Sequence, residues 1–399
     1  MLAQLQQENL KKRVVAETVV ATKQVVNQTV ELQTLLTRLY EFRYNQLTGE
    51  NEFKGKDTSL PFAPLGLRET NTICMELLKR GIACWDRDLA RYLNSTHIEG
   101  YHPLREYLAQ LPAWGGNDRL AELATRVSPN PLWVRYFRIW MLGMVNQWRG
   151  TTSYHANSIA PILISTVQGR HKSTFCKSLI PPRLQPYYID NVELTSQRQI
   201  ERKLSESGLI NLDEFDKFSP AKMATLKNVM QLTTLHIRMP HQRVFQMYPR
   251  AASFIATSNR KDLLTDPTGS RRFICIEVEQ KIDCTGINHA QIYAQLLAEL
   301  DGGARHWLNE DEERELQAHN KSFYRVPPVR DVLNDCFRAA AQGEECLQLS
   351  AAQIFRMLKE SNRAAMQGEC AKNFGQVLVT AGMERVHTRV GNVYRVVQR

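Results

Sequence analysis

Apolar residues recur at helical spacing from about residue 4 to 40, where Val14, Val15, Val19, Val25, Val26, Val30, Leu32, Leu35, Leu36 and Leu39 share one face. This predicts one long helix, used for packing or for an oligomer contact. The pattern then alternates over 40–53 and turns at Thr48-Gly49, which predicts a β-hairpin. Pro61, Pro64 and Gly66 make 57–67 read as a linker. Helical spacing returns in 69–80, 85–93, 103–111, 118–127 and 132–148. Pro103 suits the first turn of its helix, where its missing N–H costs nothing. Trp133, Tyr136, Phe137, Trp140 and Trp148 crowd the last of these helices. Aromatics at that spacing point to core rather than to a base-stacking platform.

From about 158 to 280 short apolar runs alternate with helical segments, an α/β pattern with a largely parallel sheet. Residues 288–325 return to helix. The stretch 328–399 reads as three helical segments and a final alternating piece, 384–397, that turns around Val390-Gly391-Asn392. Three helices and a hairpin predict a small winged-helix-like domain. The expected organisation is a long helix and hairpin over 1–56, a helical domain over 57–150, an α/β core over 151–287, a helical lid or linker over 288–327 and the end domain over 328–399.

The chemistry gathers in the α/β core. Residues 159–165 read as a buried strand, and Thr166-Val-Gln-Gly-Arg-His-Lys-Ser-Thr-Phe175 follows, running into a short helix before Pro181-Pro182. Strand, Gly-x-x-Lys-Ser-Thr loop and helix form a phosphate-loop arrangement, with ATP as the expected ligand. Backbone N–H groups of Gln168, Gly169, His171 and Thr174 and the helix N-terminus would face the phosphates. Lys172 would neutralise their charge, and the Ser173 hydroxyl would hold Mg2+. Glycine is the usual residue where this chain has Thr166 and His171. Histidine accepts left-handed backbone more readily than most side chains, although it lacks glycine's freedom. An ordinary strand–helix turn is the plain alternative.

A second buried strand, 209–212, ends in Asp213-Glu214. Asp213 is expected to order the metal's water shell and Glu214 to act as general base; a capped polar turn is the alternative. A third strand, 252–257, ends in Ser258-Asn259-Arg260, with Asn259 placed to sense the terminal phosphate. In Asp266-Pro-Thr-Gly-Ser-Arg-Arg-Phe273, Arg271 and Arg272 could reach a nucleotide held by a neighbouring subunit, or simply form a solvated basic turn. The alternating stretch 235–247 turns near Pro240 and carries Arg238, His241 and Arg243 close to its tip. Such a hairpin either tracks a nucleic-acid backbone or displays solvated charge at the surface.

Composition narrows the partners. The 399 residues carry a net charge of +10, which suits a polyanion. Eight scattered cysteines show no CxxC pair and no histidine grouping, so free thiols and no zinc are expected. The apolar runs fall short of a membrane span and Met1-Leu2-Ala3-Gln4 opens a polar helix, so no membrane contact and a cytoplasmic location are expected.

The core resembles the virulence-associated protein E family, a branch related to superfamily III helicases and primase-helicases of phages and mobile elements. The resemblance rests on Gln168-Gly169-x-x-Lys172-Ser173-Thr174-Phe175, on 209–215, on Ala256-Thr257-Ser258-Asn259 and on Thr268-Gly269-Ser270-Arg271-Arg272-Phe273. The segment 107–119 also resembles these proteins, with Gly115 where an Asp is usual, and the tail resembles a small domain of Bacteroidetes members. The resemblance implies a homo-oligomeric ring, a hexamer first among the ring sizes, that moves along single-stranded DNA. No segment before residue 100 fits the primase of many relatives, so a primase is expected as a separate partner. Together these features predict an α/β P-loop ATPase core acting as a DNA helicase or translocase in replication of a mobile element or prophage. Two alternatives stay open. One is a nucleic-acid-binding module that has lost hydrolysis; the other is a regulatory or defence NTPase whose tail binds a protein.

Overall fold

The computed structural model describes residues 11–15, 30–150, 155–194, 197–239, 244–264, 270–324, 328–341, 343–361, 366, 370–389 and 391–399. The chain divides into two compact units, Met1–Arg260 with Arg271–Leu316, and Lys261–Ser270 with Gln317–Arg399.

In the first unit residues 11–15 and 30–39 are helical; the rest of the long helix expected over 4–40 lies outside the described residues. Strands β1 (Tyr40–Asn45) and β2 (Glu50–Gly55) form the expected hairpin, closed by Gly49 at a φ of 75°. The stretch read as a linker contributes β3 (Ala63–Pro64) to the free edge of β2, the sheet position at which a proline's missing N–H is tolerated. A two-residue strand, β4 (Gly100–Tyr101), adds parallel to β1. Neither short strand has enough residues to show a period. Helices Leu67–Lys79, Asp86–Leu93, Pro103–Ala109, Arg119–Thr125 and Pro131–Arg149 follow the predicted spacing closely.

Strands β5 (Ala160–Ile164), β6 (Tyr188–Asp190), β7 (Leu209–Leu212), β8 (Thr234–Ile237), β9 (Gln246–Pro249), β10 (Ser253–Ser258) and β11 (Phe273–Glu277) come next. Five of them form an all-parallel sheet in the order β11-β5-β10-β7-β6, which is the expected α/β core. The other two, β8 and β9, pair with each other as an antiparallel hairpin. Burial on both faces explains why β5 and β7 are apolar runs without alternation. Helix Pro131–Arg149 buries its aromatic residues against this sheet. Trp133, Tyr136, Phe137, Trp140 and Trp148 are fully enclosed. The indole N–H of Trp140 donates to the Phe254 carbonyl at 3.0 Å and that of Trp148 to the Gly208 carbonyl at 3.1 Å. These rings are therefore core.

In the second unit, helices Pro328–Cys336, Ala351–Ser361 and Ala371–Thr380 pack on a sheet of β12 (Phe337–Ala339), β13 (Leu347–Ser350), β14 (Glu384–Thr388) and β15 (Gly391–Gln398). The three helices and the β14–β15 hairpin were expected. The strands β12 and β13, three and four residues long, were not; both pair with β15. Among the described residues no helix is long and apolar enough to cross a membrane.

Candidate functional site

The parallel sheet brings three chain segments to one edge. In register, Ile164 at the end of β5 lies beside Ser258 of β10, and Leu212 at the end of β7 lies beside Ala256. The residues that follow these ends, Ser165–His171, Asp213-Glu214 and Asn259, therefore converge. Ligands of open parallel sheets bind at this carboxyl edge.

The loop after β5 is open to solvent, with Thr166, Val167, Gln168, Gly169 and His171 all exposed. It is held from behind by the Ile282 N–H, which donates to the Arg170 carbonyl at 3.2 Å. Helix Lys172–Ser178 begins directly after His171, and its first N–H groups have no helical partner. Lys172 is buried, and its Nζ donates to the Ser165 carbonyl at 3.2 Å and to Asn259 Oδ1 at 3.0 Å. Burial lowers the pKa of this ammonium, and the charges of Asp213 and Asp216 work against that shift. Ser173 Oγ donates to Asp213 Oδ1 at 3.3 Å, and Thr257 Oγ1 donates to the same oxygen. A hydroxyl and one carboxylate suit a cation that keeps most of its water, as Mg2+ does. Behind them, burial pushes the Cys176 thiol well above its ordinary pKa, which leaves it an inert packing group.

Sequence reasoning missed three members of this cluster. Asp216 Oδ1 accepts from Ser258 Oγ at 3.0 Å and from the Asn259 N–H at 3.2 Å, tying the loop after β7 to the end of β10. Asn191 Oδ1 accepts from the Asp213 N–H at 3.0 Å. Thr257 orients the Asp213 carboxylate from the neighbouring strand. Asp216 had a signal in the polar run Asp-Glu-Phe-Asp-Lys; Asn191 follows β6 with no motif around it.

Backbone strain marks the same place. Among the described residues the non-glycine positions with positive φ are His171 at 61°, Asn191 at 62° and Glu214 at 52°. Each belongs to this cluster or adjoins it. Such positions cost about 1–3 kcal/mol each and gather where surrounding structure fixes them for use. His171 thus adopts the left-handed backbone for which glycine is the usual choice. His171→Gly is expected to stabilise the fold by about 1 kcal/mol and His171→Val to destabilise it by a similar amount, read from urea unfolding midpoints. Equal midpoints for all three proteins would show that the loop relaxes.

The segment that holds all of these residues, 108–325, matches the family model of the virulence-associated protein E-like domain. The chain belongs to that family. Residues 326–396 match a second family, described as a domain of unknown function from a B. theta gene (DUF3874). No curated protein matches the chain. Three solved apo structures of the NrS-1 C-terminal region are similar over 92% of this chain and 98% of theirs. Their identities are 12%, 12% and 13%, and their TM-scores 0.42, 0.40 and 0.43.

Within the VapE-like domain Arg271 and Arg272 stand apart from Lys172. Phe273 pairs with Ala160, so Arg271 and Arg272 precede β11 at the amino edge of the sheet, opposite the loop. Five residues of strand, about 16 Å, separate the two edges. Arg271 pairs with Glu313 at 2.9 Å, and both arginines line a cavity of about 620 Å3 with His155 and Trp307, whose rings stack at 4.2 Å. Glu214 is exposed and its Oε1 accepts from Lys217 Nζ at 2.7 Å. On the β8–β9 hairpin Arg238 is exposed, while His241 and Arg243 lie outside the described residues. The hairpin also exposes Phe245, stacked on His236 at 5.5 Å.

Proposed function

We propose that the VapE-like domain hydrolyses ATP with Mg2+ to move along nucleic acid, single-stranded DNA first, in replication of a mobile element or prophage. The observation that carries this reading is the cluster at the carboxyl edge: a buried lysine beside an open loop, a hydroxyl–carboxylate pair for a cation, and an amide in contact with the lysine. The loop is then a P-loop. Gln168, Gly169, His171 and Thr174 offer backbone N–H groups to the phosphates, and Lys172 neutralises them. Ser173 and Asp213 would hold the metal, which supplies charge neutralisation at the transferring phosphoryl group. Glu214 takes the proton of the attacking water once it leaves Lys217, and Asn259 orients that water. The β8–β9 hairpin, with Arg238, His241 and Arg243, faces the nucleic acid. The second unit is read as a winged-helix domain, and a separate primase as a partner.

The test is ATP hydrolysis by the purified chain, with and without single-stranded DNA, beside Glu214→Gln. DNA-stimulated turnover that the variant lacks supports the motor. Bound DNA without turnover in either protein supports the second reading, a binding module that has lost hydrolysis, which the non-glycine His171 and the Glu214–Lys217 ion pair favour.

The position of Arg271 and Arg272 bears on assembly. At the far edge of the sheet they cannot reach a nucleotide held by their own loop, so a role in hydrolysis would be on one held by a neighbouring copy in a ring. Arg271→Ala and Lys172→Ala chains are each expected to be inactive, and an equimolar mixture to recover part of the turnover. Full activity of Arg271→Ala alone would remove it from the reaction.

A further inference from the structure

The second unit carries a surface that the nucleotide site does not use. Helix Ala371–Thr380 buries Phe374 and Leu378 and leaves Asn373, Gln376 and Val379 exposed. Its inner side is fixed twice. Phe374 meets Phe355 of helix Ala351–Ser361 edge-on, with ring centroids 5.3 Å apart. The Tyr394 hydroxyl on β15 donates to the Gly375 carbonyl at 3.2 Å, and a side chain at Gly375 would collide with that hydroxyl. The helix is thus held between a preceding helix and a hairpin, with Asn373, Gln376 and Val379 outward.

Basic groups flank that face. Arg385 is exposed on β14, and Arg389 is exposed in the turn to β15 that Gly391 closes at a φ of 126°. On the other side Arg356 and Lys359 are exposed along helix Ala351–Ser361. No acidic residue lies on helix Ala371–Thr380; of the exposed carboxylates beside the flanking cations, Glu384 is paired with Arg395 at 3.1 Å and Glu360 adjoins Lys359. We propose that this surface binds double-stranded DNA, with helix Ala371–Thr380 in the major groove and Arg385, Arg389, Arg356 and Lys359 on the phosphates.

Each feature excludes a competing occupant. Asn and Gln side chains read adenine edges, and a small apolar group such as Val379 suits a thymine methyl. From Asn373 to Thr380 the helix rises about 10 Å, within a major groove about 12 Å wide. Unpaired strands are held by stacking on exposed rings. Here every phenylalanine and tyrosine of residues 328–399 is buried: Phe337, Phe355, Phe374 and Tyr394. Duplex RNA closes its major groove to a helix. A protein partner would want an apolar patch, and among the described residues of this stretch the large apolar side chains exposed are Leu347 and Val379.

The inference stands independently of ATP hydrolysis. The experiment is fluorescence anisotropy of the full chain, without nucleotide, on a random-sequence 20-base-pair DNA duplex at several salt concentrations. Single-stranded DNA of the same length and duplex RNA run alongside. Arg385→Glu with Arg389→Glu is expected to weaken duplex binding at least tenfold and to lower the salt slope by about 2, leaving single-strand binding unchanged. Asn373→Ala with Gln376→Ala is expected to keep the salt slope but to abolish enrichment of any sequence in repeated selection from the pool. Lys172→Ala should bind duplex as the wild type does, which separates this surface from the nucleotide site. Absence of duplex binding, equal binding of duplex RNA, or wild-type behaviour of both double variants overturns the proposal.

Discussion

Replacing Lys172 with alanine abolishes turnover: the expected loss in ATP hydrolysis is at least about a thousandfold. Steady-state phosphate release, with and without DNA, is the measurement. The ammonium is buried at the start of its helix and is held by the Ser165 carbonyl and Asn259 Oδ1. It lies at the carboxyl edge between the open loop, the Asp213 carboxylate and the end of β10. Lys172→Arg is not expected to rescue, because a planar fork cannot replace a point charge in that space. The fold should survive. Of the two partners Asn259 is exposed, so its freed oxygen meets water, and only the Ser165 carbonyl loses a buried donor, a cost of about 1–3 kcal/mol. Burial lowers the pKa of Lys172, so its charge is lost at lower pH than that of an exposed lysine, and nucleotide affinity should fall correspondingly early on the alkaline side. Retained turnover in Lys172→Ala would sink the assignment of the loop.

Most elements were legible because burial writes itself into the pattern. The strands β5, β7, β10 and β11 are apolar runs ended by polar residues, and the five helices between 67 and 149 show clean spacing. The loop after β5 was legible as a break between a buried apolar strand and a helix start. What sequence could not show falls into two kinds. Strands of two to four residues, β3, β4, β12 and β13, carry no period, and their place is set by the partner strand. Asn191 and Asp216 reach the site through tertiary contact, one across to the Asp213 N–H and the other to the end of β10. Their residue types are as common in turns as in sites, so only the fold distinguishes them. The left-handed backbone of His171 belongs to both kinds: the missing glycine was visible, and that the chain nevertheless adopts the strained conformation was not.

Replacing Arg250 with leucine is expected to destabilise the fold by about 3–5 kcal/mol, the range for breaking a buried charge arrangement. Arg250 is 2% exposed, and burial draws its pKa down to about 9, so it stays charged at neutral pH. Backbone carbonyls solvate it. Its Nε donates to Ala252 at 2.8 Å, its Nη1 to Met230 at 2.6 Å, to Val229 at 3.2 Å and to Leu232 at 3.4 Å, and its Nη2 to Asn157 at 3.1 Å. Two of these carbonyls end helix Pro220–Val229, where the helix dipole favours a cation. The Asn157 and Ala252 carbonyls precede β5 and β10, the strands that lead into the loop 165–171 and Asn259. One side chain thus joins a helix end to the two central strands. Leucine fills the volume only in part and leaves acceptors in a dry interior without donors, each costing about 1–3 kcal/mol. Lysine keeps the charge but cannot reach all five carbonyls, so Arg250→Lys should lose roughly half as much. Urea unfolding of the three proteins decides between these outcomes. A leucine variant with the wild-type midpoint would mean that water replaces the guanidinium, and that the pairing of β5 with β10 and the aromatic helix Pro131–Arg149 suffice to align the two central strands.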